Sequence, residues 1–185
     1  MKTNTASHDA PFTRNEGIRF LIRTCRSDWA ANPGNTKVRA ALVLYRISSW
    51  SLSLPRMGRR LLFPVRTIYK VAVGWIIGID IPPETVIGPG LRIMHGTGLV
   101  VHGKSKIGHD CTLRHGVTLG IRGVQGKPDG PPTLGNNVNV GAGAQILGPI
   151  MVSDGAIVGA GSVVLKSVPT NATVVGNPAR QLHRT

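Results

Sequence analysis

Aliphatic residues return at every sixth position through the C-terminal half of the chain. Leu134, Val140, Ile146, Val152, Val158 and Val164 keep the interval without a slip. Small or apolar residues fill the fifth place of each block (Val138, Ala144, Ile150, Ala156, Ser162, Val168), and Gly135, Gly141 and Gly159 follow the aliphatic one. A helix repeats at about 3.6 and a strand at 2, so a strict six belongs to neither alone. It describes one short strand plus one turn, a unit that buries its apolar residue only by stacking on copies of itself. The phase recurs upstream at Ile87, Ile93 and Leu99, then at Ile107, Leu113 and Leu119, with a two-residue slip in the turn near Gly103. A polar stretch rich in glycine and proline, without hexad phase, interrupts it from about Gln125 to Thr133. The insertion, loop 122–133, is expected to protrude from one corner of a coil.

Ahead of the repeats the pattern is helical. Gly17–Trp29 places Ile18, Leu21, Ile22 and Cys25 on one face. Asn32-Pro33-Gly34-Asn35 is a turn, and Asn35 or Thr36 can cap the next helix. That helix, Lys37–Trp50, puts Val38, Leu42, Tyr45 and Trp50 or Ile47 on its apolar side and Arg39 and Arg46 outside. Gly58 to Ile77 is apolar but broken by Pro64, Arg66 and Lys70. A membrane span would hold two central cations at about 2.5–3.5 kcal/mol each, so an interfacial or oligomer-packing helix is expected. The chain thus divides into a flexible leader 1–16, a helical region 17–77, a repeat domain 78–180 and a tail 181–185.

Charge changes this picture at the N-terminal end only. Residues 1–78 carry thirteen Lys/Arg against three acids, and residues 79–185 nine against five. A basic half suits polyanions or an anionic membrane surface, or is simply a solvated basic face. Aromatic residues make up only 4% of the chain, and no aromatic-basic signature for nucleic acid accompanies the charge. Cys25 and Cys111 form no metal or redox motif. Cys111 falls on an inward position, compatible with a reducing cytoplasm. The first seventeen residues hold no apolar core of the kind a secretory signal needs. A cytoplasmic protein is expected, with the inner face of the membrane as a second location.

The hexads from Gly78 to Arg180 resemble the left-handed parallel β-helix acetyltransferases, and within them the serine acetyltransferase branch. The resemblance implies a mainly β fold, three hexads to a triangular coil, preceded by a short α-helical N-terminal region. It implies acetyl-CoA as co-substrate, no metal, and a homotrimer. Ile93-Met94-His95-Gly96-Thr97-Gly98 is similar to the segment with the family's catalytic histidine, and Gly78-Ile79-Asp80-Ile81 to that of its aspartate partner. On a constant eighteen-residue coil, hexad 75–80 stacks on hexad 93–98, which would bring Asp80 within hydrogen-bonding reach of His95. The chemistry needs such a pair. An alcohol attacks a thioester poorly unless its proton leaves as the bond forms, and a neutral imidazole takes it at pH 7. A carboxylate on the other ring nitrogen fixes the tautomer and stabilises the imidazolium.

Two positions depart from the serine acetyltransferase pattern. The residue before the histidine, usually an aspartate that helps hold the amino acid, is Met94. The loop histidine that contacts the serine carboxylate falls at Pro131. Thr112-Leu113-Arg114-His115-Gly116-Val117-Thr118-Leu119-Gly120 and Leu44–Ser48 are similar to the colanic-acid-type acetyltransferases of exopolysaccharide clusters. This leads to the expectation of O-acetyl transfer to a saccharide in exopolysaccharide biosynthesis, with serine O-acetylation as the alternative. His115 should lie beside His95, where it contacts acceptor or CoA, or is a stacking residue outside catalysis. Asp28 is a weaker match to an acceptor-site acid. The resemblance places CoA along Gly141, Ala142, Ala160 and Gly161, with Lys166 and Arg180 as phosphate partners or solvated cations.

Two other classes compete. His95, His109 and His115 share the third hexad position, as the ligands of a zinc carbonic anhydrase would at a trimer seam. A membrane-associated scaffold without activity is the non-enzymatic alternative, since fold alone does not establish activity.

Overall fold

The six-residue rhythm becomes three flat parallel sheets wrapped around one apolar column. The computed structural model describes residues 17–123 and 130–182. The leader 1–16, positions 124–129 of the inserted loop and the last three residues lie outside the described residues. The first sheet stacks Ile79–Asp80, Leu99–Val101, Thr118–Gly120, Gln145–Leu147 and Val163–Val164. The second stacks Val86–Ile87, Lys106–Ile107, Thr133–Leu134 and Met151–Val152. The third stacks Arg92–Met94, Thr112–Arg114, Asn139–Val140, Ile157–Val158 and Thr173–Gly176, and Ala179–Gln181 closes it as an antiparallel edge. The result is a parallel β-helix of about four turns.

The aliphatic positions read from the period point inward. Leu113, Leu119, Val140, Ile146 and Val152 are fully enclosed, and the fifth-place residues Val138, Ala144, Ala156 and Ser162 are buried with them. Cys111 is buried too. Burial, with smaller contributions from Asp110 and Asp154, outweighs two backbone hydrogen bonds and pushes its thiol up to about 11. Burial, and next the Asp28 carboxylate, also raises the Cys25 thiol. Since only the thiolate is alkylated, iodoacetamide at pH 8 is expected to leave Cys111 unmodified in the native protein. It should modify both cysteines in guanidinium, read by intact mass. Rapid native alkylation of Cys111 would contradict its burial.

Coil length is where the register departs from expectation. Ile79 pairs with Leu99 and Ile87 with Ile107, steps of twenty, whereas Val101 pairs with Leu119, a step of eighteen. The extra residues lengthen the first sheet at Ile81 and Val101, both of which turn inward. The slip near Gly103 corresponds to Val101; the one at Ile81 was not anticipated. Ile107 pairs with Leu134, a step of twenty-seven that absorbs the nine-residue insertion.

The helical region comprises α1 (Ile18–Ala31), α2 (Thr36–Ser51), α3 (Arg56–Leu61), α4 (Phe63–Tyr69) and a π-helix, Lys70–Ile77. Asn35 caps α2 by accepting the Val38 N–H. The expected single helix from Gly58 to Ile77 is therefore two short helices and a π segment, with Pro64 in the first turn of α4. Among the described residues, no helix is long and apolar enough to cross a membrane.

These helices close the open end of the solenoid, and polar groups do the joining. The Asp28 carboxylate accepts from Arg46 Nε (2.8 Å) and Nη2 (3.2 Å) and from the backbone N–H groups of Gly90 (2.9 Å) and Leu91 (3.0 Å). Arg46 also donates to the carbonyls of Ile87 and Gly88. Asn32 bonds Leu91 and Ile93, Tyr45 the Thr85 carbonyl, and Tyr69 the Ile81 carbonyl. A bare first coil would leave these backbone groups unpaired, as any sheet edge does. Two expectations are corrected here. Arg46 is buried rather than outside, and the buried side of α1 is Thr24 and Asp28, while Ile18 and Ile22 are exposed.

Candidate active site

His95 stands in the corner between the third and first sheets, where the backbone is forced outward. Its φ is 64°, a left-handed value uncommon outside glycine. Gly96 follows because a Cβ there would lie 2.5 Å from Ile79 Cδ1. The imidazole is left exposed at the corner.

The same corner is built in successive coils from His95, His115, Ala142 and Ala160. The register follows from Met94 opposite Arg114, Thr112 opposite Asn139 and Asn139 opposite Ile157. His115 N–H donates to the Met94 carbonyl (3.1 Å), Gly143 N–H to that of His115 (2.9 Å) and Gly161 N–H to that of Ala142 (2.8 Å). The two imidazoles stand edge to face, with centroids 6.2 Å apart. Gly98, Gly116, Gly143 and Gly161 follow them, all at positive φ, and a Cβ on Gly116 would lie 3.4 Å from the Gly143 Cα. The corner is thus a strip almost free of side chains, with two histidines at one end. An extended ligand can lie along such backbone, with its reactive end at the imidazoles.

The other expected site residues are distributed as follows. Gly141, Ala142, Ala160 and Gly161 lie along this strip. Lys166 is exposed at the next corner, beyond Val163–Val164, and Arg180 is exposed on the closing strand opposite Val175. Met94 is half-buried, immediately before His95. Pro131 lies where the chain returns from the insertion.

Two placements correct the sequence reading. Asp80 is exposed but lies opposite Val100, and no hydrogen bond joins it to His95 among the described residues. The cause is the twenty-residue first coil, which moves Asp80 two positions along from the register of an eighteen-residue coil. Asp28 does not open onto an acceptor site; it is buried, with both oxygens occupied by Arg46 and backbone N–H groups. His109, the third histidine of the zinc alternative, sits on a different corner, where its Nδ1 bonds Asp110. The three rings do not converge.

The sequence reading gave Arg114 no role. It faces outward on the strand leading into His115, opposite Met94, and its Nη1 donates to Asn139 Oδ1 and the Val140 carbonyl. The signal was a cation immediately before a histidine on the same hexad.

Comparison with known proteins defines the family. Residues 131–166 match the bacterial transferase hexapeptide family (six repeats). A Helicobacter pylori protein named serine acetyltransferase is 47% identical over 125 residues, covering 67% of this chain and 71% of the relative. Soybean serine acetyltransferase complexed with serine superposes with a TM-score of 0.71 at 34% identity, covering 89% of this chain and 70% of that one. The Brucella abortus serine acetyltransferase in complex with coenzyme A gives 0.71 at 31% identity, covering 90% and 68%. These relatives overturn the expected saccharide acceptor and the exopolysaccharide branch. That expectation rested on two altered positions and on short likenesses at Thr112–Gly120 and Leu44–Ser48, against a match that runs through two thirds of the chain. The chain belongs to the hexapeptide-repeat acetyltransferases, in the family of the enzymes named serine acetyltransferase.

Proposed function

We propose that this protein transfers the acetyl group of acetyl-CoA to the hydroxyl of L-serine, with His95 as general base, in a homotrimer. The observation that carries the reading is the single corner on which His95, His115 and the side-chain-free strip coincide, in a chain whose relatives bear that name. The imidazole takes the hydroxyl proton as oxygen attacks the thioester carbonyl. The tetrahedral oxyanion then collapses, the C–S bond breaks, and the imidazolium returns its proton to the departing thiolate. Asp80 is the carboxylate that the family resemblance assigns to the other ring nitrogen, although its register opposite Val100 sets it off from His95. Acetyl-CoA lies along Gly141, Ala142, Ala160 and Gly161, and Lys166 and Arg180 are assigned to its phosphates.

Met94 provides no charge for the acceptor, so Arg114 takes on a larger part. Three of its five N–H donors are not engaged by Asn139 and Val140, and they suit the serine carboxylate. The test is release of CoA thiol from acetyl-CoA on titration with L-serine. Saturable, serine-dependent turnover is expected, and Arg114→Ala should raise KM for serine roughly tenfold or more while kcat changes less, the range of a charged hydrogen bond. A chain that binds CoA but shows no serine-dependent release would overturn the acceptor.

A further inference from the structure

The segment between the helical cap and the first coil has an uncovered face that acetyl transfer does not use. In the π-helix and α4, Ile68, Val71 and Trp75 follow one another at three and four residues, on one side of the helix. They are exposed, as are Phe63, Ile76 and, in α3, Met57 and Leu61. Trp75 and Ile76 are each 77% exposed, although they are among the most apolar side chains of the region. Only Tyr69 and Val73 of this stretch are buried against the rest of the protein. Where α3 meets α4, Arg59, Arg60, Phe63 and Arg66 line an open cleft of about 290 Å³. The Arg66 guanidinium lies 5.7 Å from the centroid of the Phe63 ring.

Between Pro55 and Ile77 the chain holds five cations (Arg56, Arg59, Arg60, Arg66, Lys70) and no acid. Apolar exposure on this scale marks an interaction surface, and the charge selects its occupant. Two copies meeting face to face would bring like charges together. A contact with another surface of the chain finds little acid either, since the whole sequence has eight acidic residues against twenty-two basic ones. A bilayer containing anionic phospholipid meets both demands at once. Its phosphates neutralise guanidinium groups, and its acyl boundary accepts leucine, phenylalanine and tryptophan side chains.

We propose that α3, α4 and the π-helix dock the protein on an anionic phospholipid surface, with the arginine cleft taking lipid phosphate and Trp75, Ile76 and Ile68 entering the interface. The binding proposed is peripheral and reversible, since among the described residues no helix is long and apolar enough to cross a membrane. It goes beyond the acetyl-transfer reading and does not depend on it.

The test is co-sedimentation of the full chain with large vesicles of phosphatidylcholine alone and with 30% phosphatidylglycerol (roughly the anionic content needed for a strong surface potential). At least tenfold stronger binding to the anionic vesicles is expected, weakening as salt is raised. Trp75→Ser with Ile76→Ser should lower it about tenfold at unchanged charge, and Arg59→Gln with Arg60→Gln should remove the preference for anionic lipid. An unchanged circular dichroism spectrum and melting temperature for either pair of variants report that the protein is folded. Binding that ignores lipid charge, or that survives both pairs, overturns the proposal. So does a fall in oligomer size for the serine pair with no vesicle binding by the wild type, which would assign the face to a second copy.

Discussion

Replacing His95 by asparagine is expected to lower kcat/KM for acetyl transfer to L-serine by roughly 10²–10⁴, the range lost when a positioned general base is removed. Asparagine is the sharper replacement because position 95 has φ 64°. Asparagine tolerates the left-handed region that alanine resists, so the corner keeps its shape while the base is lost. The side chain is exposed and holds no part of the core, so thermal stability should change little. The measurement is thiol release at saturating acetyl-CoA, alongside a melting curve and CoA binding. A variant with at least a third of wild-type activity would remove His95 as the base. His115→Gln is the companion variant: its ring lies 6.2 Å from that of His95, and a loss confined to KM would separate a binding role from proton transfer.

Breaking the Asp28–Arg46 pair should cost more stability than any other single change in the helical region. Both side chains are buried, with Arg46 Nε 2.8 Å from Asp28 Oδ2. Burial works to lower the pKa of Arg46, and the Asp28 carboxylate more than offsets it, leaving the guanidinium above its ordinary value and charged. Arg46→Met strands the carboxylate of Asp28 with only the Gly90 and Leu91 N–H groups. Removing one partner of a buried pair costs about 3–5 kcal/mol, which at roughly 2–4 °C per kcal/mol lowers Tm by about 6–20 °C for a chain of this size. The loss should be local first. In a solenoid each coil leans mainly on its neighbours, so hydrogen exchange should quicken in α1, α2 and the coil containing Ile87 to Ile93 before it does near Val158. A shift of less than about 2 °C would mean that the clamp is dispensable.

The contrast between the two sites shows how far a sequence pattern reaches. The inward column was legible because burial repeats: each coil imposes the same demand at the same place, and six consecutive aliphatic residues record it. The placement of His95 beside His115 was legible through their shared hexad position. Arg46 was misread because a helical wheel assigns arginine to solvent. Here it faces the open end of a β-helix, whose carbonyls at Ile87 and Gly88 need donors. Asp28 was misread for the same reason, as an acid available to a ligand, when it is an acceptor for N–H groups sixty residues away in sequence.

The sequence by itself determined the solenoid, its inward residues, the corner that carries the histidines and the position of the interrupting loop. These follow from a local period, and a period survives in one dimension. Only the tertiary structure decided the length of the first coil, and with it the placement of Asp80 opposite Val100. It alone decided that the helices attach through buried polar groups and leave Ile18, Ile68 and Trp75 in the open. Those outcomes depend on which backbone groups the first coil leaves unpaired, a property of the assembled edge that no single stretch of the chain carries.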